Sequence, residues 1–235
     1  MAQRFFVDRR WAASYLAIAL AGCAIHSPVP AIAPDAPLPT PAQVRRWVAP
    51  TAPATHRVLK FRWQIQDDRG AAGGRGSARI AAPDSVRLDV AGPLGSGRGA
   101  AVVTGDSALW TDPPDIIRRL VPSYPLMWAM LGVMRSPPAD AVVRGVEDAS
   151  GVRWQWSSGA DTVRYAWPAS GTTLRAEARR GGELVGWVET SFSGASEPAR
   201  SQLIAPSAST KLTLTFSESE SPDSFPPDLW RPPEP

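Results

Sequence analysis

From Leu59 onward, hydrophobic and polar residues alternate one by one. Leu59, Phe61, Trp63 and Ile65 fall on one side of an extended chain, with Lys60, Arg62, Gln64 and Gln66 on the other. A period of two marks a strand with one buried face. The alternation returns in Val86-Arg87-Leu88-Asp89-Val90. It returns again in Val152, Trp154 and Trp156 against Arg153 and Gln155, and in Val163, Tyr165 and Trp167 against Thr162 and Arg164. Glycine-rich stretches punctuate the early part. Gly70 to Gly76 reads as a turn leading into a strand over 75–81, and Gly92-Pro93-Leu94-Gly95-Ser96-Gly97 as a turn into a strand over 100–104. A short strand over 107–111 completes a first group of five.

The period then changes. Asp112-Pro113-Pro114-Asp115 has the form of a helix cap with proline in the first turn, and Ile116, Ile117, Leu120 and Val121 share one helical face. A second helix is expected over 125–134, where Met127, Met130, Leu131 and Met134 recur at helical spacing before Pro137-Pro138 stops it. Strands resume over 141–147, 152–157, 162–167, 172–179, 183–192, 200–204 and 211–216. Ser158-Gly159, Gly171 and Gly181-Gly182 separate them as tight turns. With no helices to cover both faces, the sheet must be antiparallel and strongly coiled. The predicted fold is mainly β: a curved antiparallel sheet forming an unclosed barrel of about 11 strands, with a short helical lid inserted after the fifth.

Both ends differ in texture. Residues 24–53 carry prolines at 28, 30, 34, 37, 39, 41, 50 and 53, a density that favours extended chain. Within them Thr40 can cap a turn with Pro41 at its first position, followed by Gln43-Val44-Arg45-Arg46-Trp47-Val48. That segment reads either as plain tether or as a short helix packing Val44, Trp47 and Val48 on the domain. The proline-rich stretch from Pro222 to Pro235 is expected to be irregular, with Phe225 and Trp230 tucked back on the body.

The N-terminus adds an address. Arg4, Arg9 and Arg10 precede a run from Trp11 to Gly22 that is apolar apart from Ser14. The run is shorter than the roughly 20 residues of a spanning helix, and suits an export signal. It ends in Leu20-Ala21-Gly22-Cys23, which holds the chain's only cysteine and resembles a bacterial lipobox. The resemblance implies cleavage before Cys23, acylation there, and stable attachment through more than one acyl chain. Ala24, in place of an aspartate, points by the same resemblance to the outer membrane. Four segments follow: a signal over 1–22, an acylated cysteine and tether over 23–53, a domain over 54–217 and a tail over 218–235.

Removal of residues 1–22 leaves 213 residues, enough for one domain, with 22 basic and 21 acidic groups. That balance gives no case for nucleic-acid binding. With Cys23 committed to lipid no disulfide can form. Ten tryptophans against three tyrosines and six phenylalanines need a home. Core packing accounts for Trp63, Trp154, Trp156 and Trp167 one at a time. Together they suggest a cavity wall, because a single sheet has one concave face to bury them on. Met127, Met130, Leu131 and Met134 read equally as core or as an adaptable lid over acyl chains.

Catalytic patterns are weak. His26 lies in the tether and His56 at the start of the first strand, and there is no His-Glu-x-x-His or Gly-x-Ser-x-Gly. The glycine-rich stretches lack a Gly-Lys-Ser/Thr ending, and capping explains Asp112 and Asp115. Neither an enzyme nor a metal or cofactor is expected.

The element order behind a lipobox resembles the LolB family, outer-membrane receptors that accept lipoproteins from the carrier LolA. Val86 to Gly95 resembles the family's third strand and its Pro-Leu-Gly turn. Pro125-Leu126-Met127-Trp128-Ala129-Met130-Leu131-Gly132 resembles its lid helix. The order matches over about residues 40 to 217. The resemblance implies an unclosed barrel with a helical lid over an acyl-binding cavity, a monomer facing the periplasm, and a membrane-delivery role for Leu94. Acylated lipoproteins or lipids, and a LolA-like carrier, are the implied partners. The long tether, the proline-rich tail and the surplus of Trp and Met depart from the family pattern. Two other readings stay open: an envelope lipid-binding lipoprotein with the same fold but no carrier, and a Trp-rich protein-interaction module.

Overall fold

The structure is a computed structural model that describes residues 29–93, 97–114, 122–194 and 197–232. Twelve strands form one antiparallel sheet in the order β5-β4-β3-β2-β1-β12-β11-β10-β9-β8-β7-β6. The chain meanders outward through β1 (Arg57–Asp67), β2 (Gly70–Ala81), β3 (Ser85–Ala91), β4 (Arg98–Thr104) and β5 (Ser107–Asp112). It then crosses to the opposite edge and meanders back. This return comprises β6 (Val142–Asp148), β7 (Gly151–Ser158), β8 (Asp161–Pro168), β9 (Thr173–Arg180), β10 (Glu183–Phe192), β11 (Pro198–Ala205) and β12 (Thr210–Glu220). First and last strands therefore pair in the middle, and β5 and β6 remain as free edges of an unclosed barrel.

Register carries the alternation from strand to strand. Leu59 faces Ala78 and Phe61 faces Gly76, while Trp154 lies between Gly145 and Tyr165. The inward residues of neighbouring strands thus share one concave face, and the core collects there.

Glycine marks the main departure from the sequence reading. Gly70 to Gly76 is no turn; β2 runs through it from Gly70. Gly74 lies opposite Trp63 and Gly76 opposite Phe61. A Cβ at Gly76 would come within 2.5 Å of the Phe61 ring, and one at Gly74 within 1.9 Å of the Ala91 carbonyl oxygen. These glycines are flat strand positions covered by aromatic rings from β1. Glycine carries no side chain to display alternation, so the pattern looked like a break.

Two helices pack on the concave side. Helix α1 (Pro41–Val48) forms with Thr40 as its cap, in a reciprocal capping box with Gln43, and buries Val44, Trp47 and Val48. Gly145 on β6 makes room for it, since a Cβ there would meet the Trp47 ring at 2.7 Å. Helix α2 (Tyr124–Met130) lies on the crossover and packs against β9, β10 and β11. It ends earlier than the expected 134 because Gly132 turns with φ of 80°. Leu131, Val133 and Met134 continue into the core beyond that turn. The helix expected around Ile116 to Val121 lies outside the described residues.

The tail returns to the outer face. The Leu229 carbonyl accepts from Arg87 Nη1 at 2.7 Å and the Trp230 carbonyl from Trp110 Nε1 at 3.0 Å. Phe225 stacks edge-on against both His56 and Trp230, at 5.1 and 5.9 Å.

Candidate functional site

Helix α2 is held inside the sheet by polar bonds at several points. Trp128 Nε1 donates to the Gly105 carbonyl at 2.8 Å, and Thr190 Oγ1 to the Ala129 carbonyl at 2.8 Å. The Met134 N–H donates to Thr51 Oγ1 at 2.9 Å. Arg135 lies over the Trp128 ring at 5.2 Å and reaches Asp84 and Asp106 at 3.6 and 3.8 Å. The hydrogen bonds from Trp128, Thr190 and Met134 satisfy groups whose burial would otherwise cost free energy.

The helix does not fill the concavity. A cavity of about 680 Å³ remains between its first turn and strands β7 to β10. Its walls are Tyr124, Met127, Trp156, Val163, Ala178 and Val185, with Pro122, Pro125 and Pro138 from the crossover. Ser158, Asp161, Arg179, Arg180 and Asp106 add polar groups. Arg180 Nε holds Asp161 at 2.8 Å, and Arg179 Nε holds Glu177 at 2.6 Å. Burial pushes the Asp106 carboxyl above its ordinary range. Arg135 opposes that shift and Asp84 adds to it. The Trp156 indole N–H has no partner although the residue is buried.

The sequence-predicted residues separate into groups. Met127 and Trp156 line the cavity. Trp154, Met130, Leu131 and Met134 sit in the packed core, where Trp154 stands between Trp47 and Tyr165 with ring centroids at 6.4 and 4.9 Å. Trp167 packs edge-on against Phe192 at 5.3 Å. Trp63 lies half-buried in the other half of the sheet, its Nε1 donating to both the Arg75 and Ala91 carbonyls at 3.2 Å. Cys23 and Leu94 fall outside the described residues. The turn that holds Leu94 is closed at its base by a bond from the Gly92 N–H to the Gly97 carbonyl at 2.9 Å. Val163 was legible as an inward strand position. Ala178, Val185 and the arginines of the β9–β10 hairpin were not, because only the fold of α2 over that hairpin makes them a wall.

The arrangement suits an amphiphile. Its volume lies within the range of about 300–1,000 Å³ typical of small-molecule pockets, with apolar walls and a few charged groups. Among the described residues no group of three or more potential ligands could hold a metal ion, and no helix is long and apolar enough to cross a membrane.

No protein-family model and no curated protein matches the chain. Among solved structures, a LolA superfamily protein from Nitrosomonas europaea superposes with a TM-score of 0.56 at 12% identity. The match covers 83% of this chain and 98% of that one. A domain assigned to outer membrane lipoprotein sorting, from Vibrio parahaemolyticus, gives 0.49 at 9% identity, covering 80% and 94%. The chain has a LolA/LolB-like fold.

Proposed function

We propose that this protein is an outer-membrane lipoprotein, acylated at Cys23 and facing the periplasm, that binds acyl chains of lipoproteins or lipids and passes them to the bilayer. The observation that carries the reading is the 680 Å³ cavity left between α2 and the sheet of a LolA/LolB-like fold. An acyl chain entering it leaves water at a gain of about 0.8 kcal/mol per methylene. It gives up nearly the same amount on leaving a bilayer, so exchange between cavity and membrane is close to balanced and needs no cofactor. The nearby charges of Arg180 and Asp161 suit a polar headgroup. A LolA-like carrier is the partner that the fold suggests for delivery of cargo.

Lipid extracted from the purified protein and identified by mass spectrometry tests the cavity. The expected result is stoichiometric acyl lipid in the wild type and a loss of at least half in Met127→Trp and Val185→Trp, which fill the space. Lipid-free wild type, or unchanged lipid in both variants, overturns the reading. Transfer of a radiolabelled lipoprotein from its carrier tests delivery. Leu94→Glu should slow that transfer while leaving the unfolding midpoint in place, and an unchanged rate removes Leu94 from the mechanism.

A further inference from the structure

Beyond the cavity, the outer face of β1 to β4 carries charge with no internal use. Register places Arg62 opposite Arg75, Arg75 opposite Ala91, and Ala91 opposite Arg98. On the other side Arg62 faces Thr215, which faces Arg200. Residues directly opposite in antiparallel strands project from the same face. Four exposed arginines therefore lie in one row across six strands, spanning about 24 Å at the usual strand spacing. None of the four side chains forms an ion pair with a carboxylate of a described residue.

Across β7 to β9 the arginines are matched. Arg153, Arg164, Arg175, Arg179 and Arg180 each pair with an acid between 2.6 and 3.1 Å. Near the row, Asp89 is held by Arg79 and Arg87, and Glu218 by Lys60. Like charges directly opposite on a sheet are destabilising, so the Arg62–Arg75 pair costs stability, and neither arginine forms an ion pair with a described residue. Arg62, Arg75 and Arg98 line a groove of about 970 Å³ on the outer face, whose wall also holds Asp112, and the row ends at Arg98, the first residue of β4. An exposed line of guanidiniums that hold no carboxylate of a described residue complements a surface of phosphates.

We propose that Arg62, Arg75, Arg98 and Arg200 form a docking row for anionic phospholipid headgroups, which lays the outer face of β1 to β4 on the membrane. The partner is the bilayer surface itself. The row does not depend on what the cavity holds.

The test uses the full chain carrying Cys23→Ser, so that no acyl anchor masks the effect. Cosedimentation with phosphatidylcholine vesicles is compared with vesicles that also contain phosphatidylglycerol. The ratio of the two affinities is the readout, and the apolar N-terminus contributes alike to every variant. Wild type should favour the anionic vesicles, and Arg62→Gln/Arg75→Gln/Arg98→Gln should lower that ratio on the order of 100-fold. Arg46→Gln/Arg153→Gln/Arg175→Gln removes the same charge from paired positions and should lower it far less. No preference in the wild type, an unchanged ratio in the row variant, or equal loss in both triple variants overturns the proposal. Unchanged vesicle binding with slowed hand-over from a carrier assigns the row to a protein and also overturns it. Lipid content of the same preparations, read by mass spectrometry, reports on the cavity separately.

Discussion

The two halves of the sheet use the same topology and are built differently. In β7 to β10 the concave face carries Trp154, Tyr165, Leu174 and Val188, all fully buried beneath α1 and α2. Its outer face is neutralised: Glu177, fully buried, is held by Arg164 and Arg179. In β1 to β4 only the end near Leu59, Ile80, Val86 and Val103 is sealed. Trp63, Ile65, Leu88 and Val90 remain half-exposed, β2 is rich in glycine, and the arginine row outside is unpaired. One half is packed under both helices around the α2 cavity, with the arginines of β7 to β9 paired to acids; the other is thin, and the arginines of its outer row hold no described carboxylate.

The largest expected effect separates the halves directly. Trp154→Ala should cost about 3–5 kcal/mol, the range for deleting a buried aromatic. Trp63→Ala, which leaves a half-exposed gap, should cost less than half as much. Urea unfolding midpoints measure both, and equal losses would erase the distinction between the halves.

Gly74→Ala comes next. Its Cβ would sit on the Ala91 carbonyl oxygen, at 1.9 Å, so β2 and β3 must separate. An overpacking cost of about 1–3 kcal/mol is expected, confined to the thin half. Hydrogen exchange should show faster opening of 70–91 with β7 to β10 unchanged. Uniform loss of protection would mean that the halves unfold as one unit.

The smallest effect tests how α1 is fastened to the packed half. Trp47 Nε1 and Arg46 Nη2 both donate to Glu147, at 2.9 and 2.5 Å, and hold its carboxyl below the ordinary range. A lowered pKa means that this contribution is present above the usual glutamate value and is lost as pH falls through the folded value. Exchange protection of 41–48 should therefore fall on acidification, below about pH 4.3. Glu147→Gln should flatten that dependence. Persistence of the same pH profile in Glu147→Gln would place the sensitivity elsewhere.

Much of this was legible in the chain. Alternation located the strands because each is buried on one face only, so a side chain's polarity reports its direction. Thr40 as a cap, Pro41 at the first position and the Val44, Trp47 and Val48 spacing left a short helix as one of two readings, and the structure forms it. The misread regions have separate physical causes. In the glycine run of β2 there is no side chain to carry polarity, so a strand looked like a turn. For α2, methionine spacing gave a helix, while its depth and its end at Gly132 depend on the surface beneath it.

The sequence by itself determined the local periods, the caps, the turns and therefore the fold class, because these arise from neighbours in the chain. Tertiary structure alone decided which distant residues meet. Arg62, Arg75, Arg98 and Arg200 become a row only through strand register, and Met127 reaches Ala178 and Val185 only because the crossover must run from one sheet edge to the other. Register and crossover are set by burying one continuous face, a condition no single segment can express.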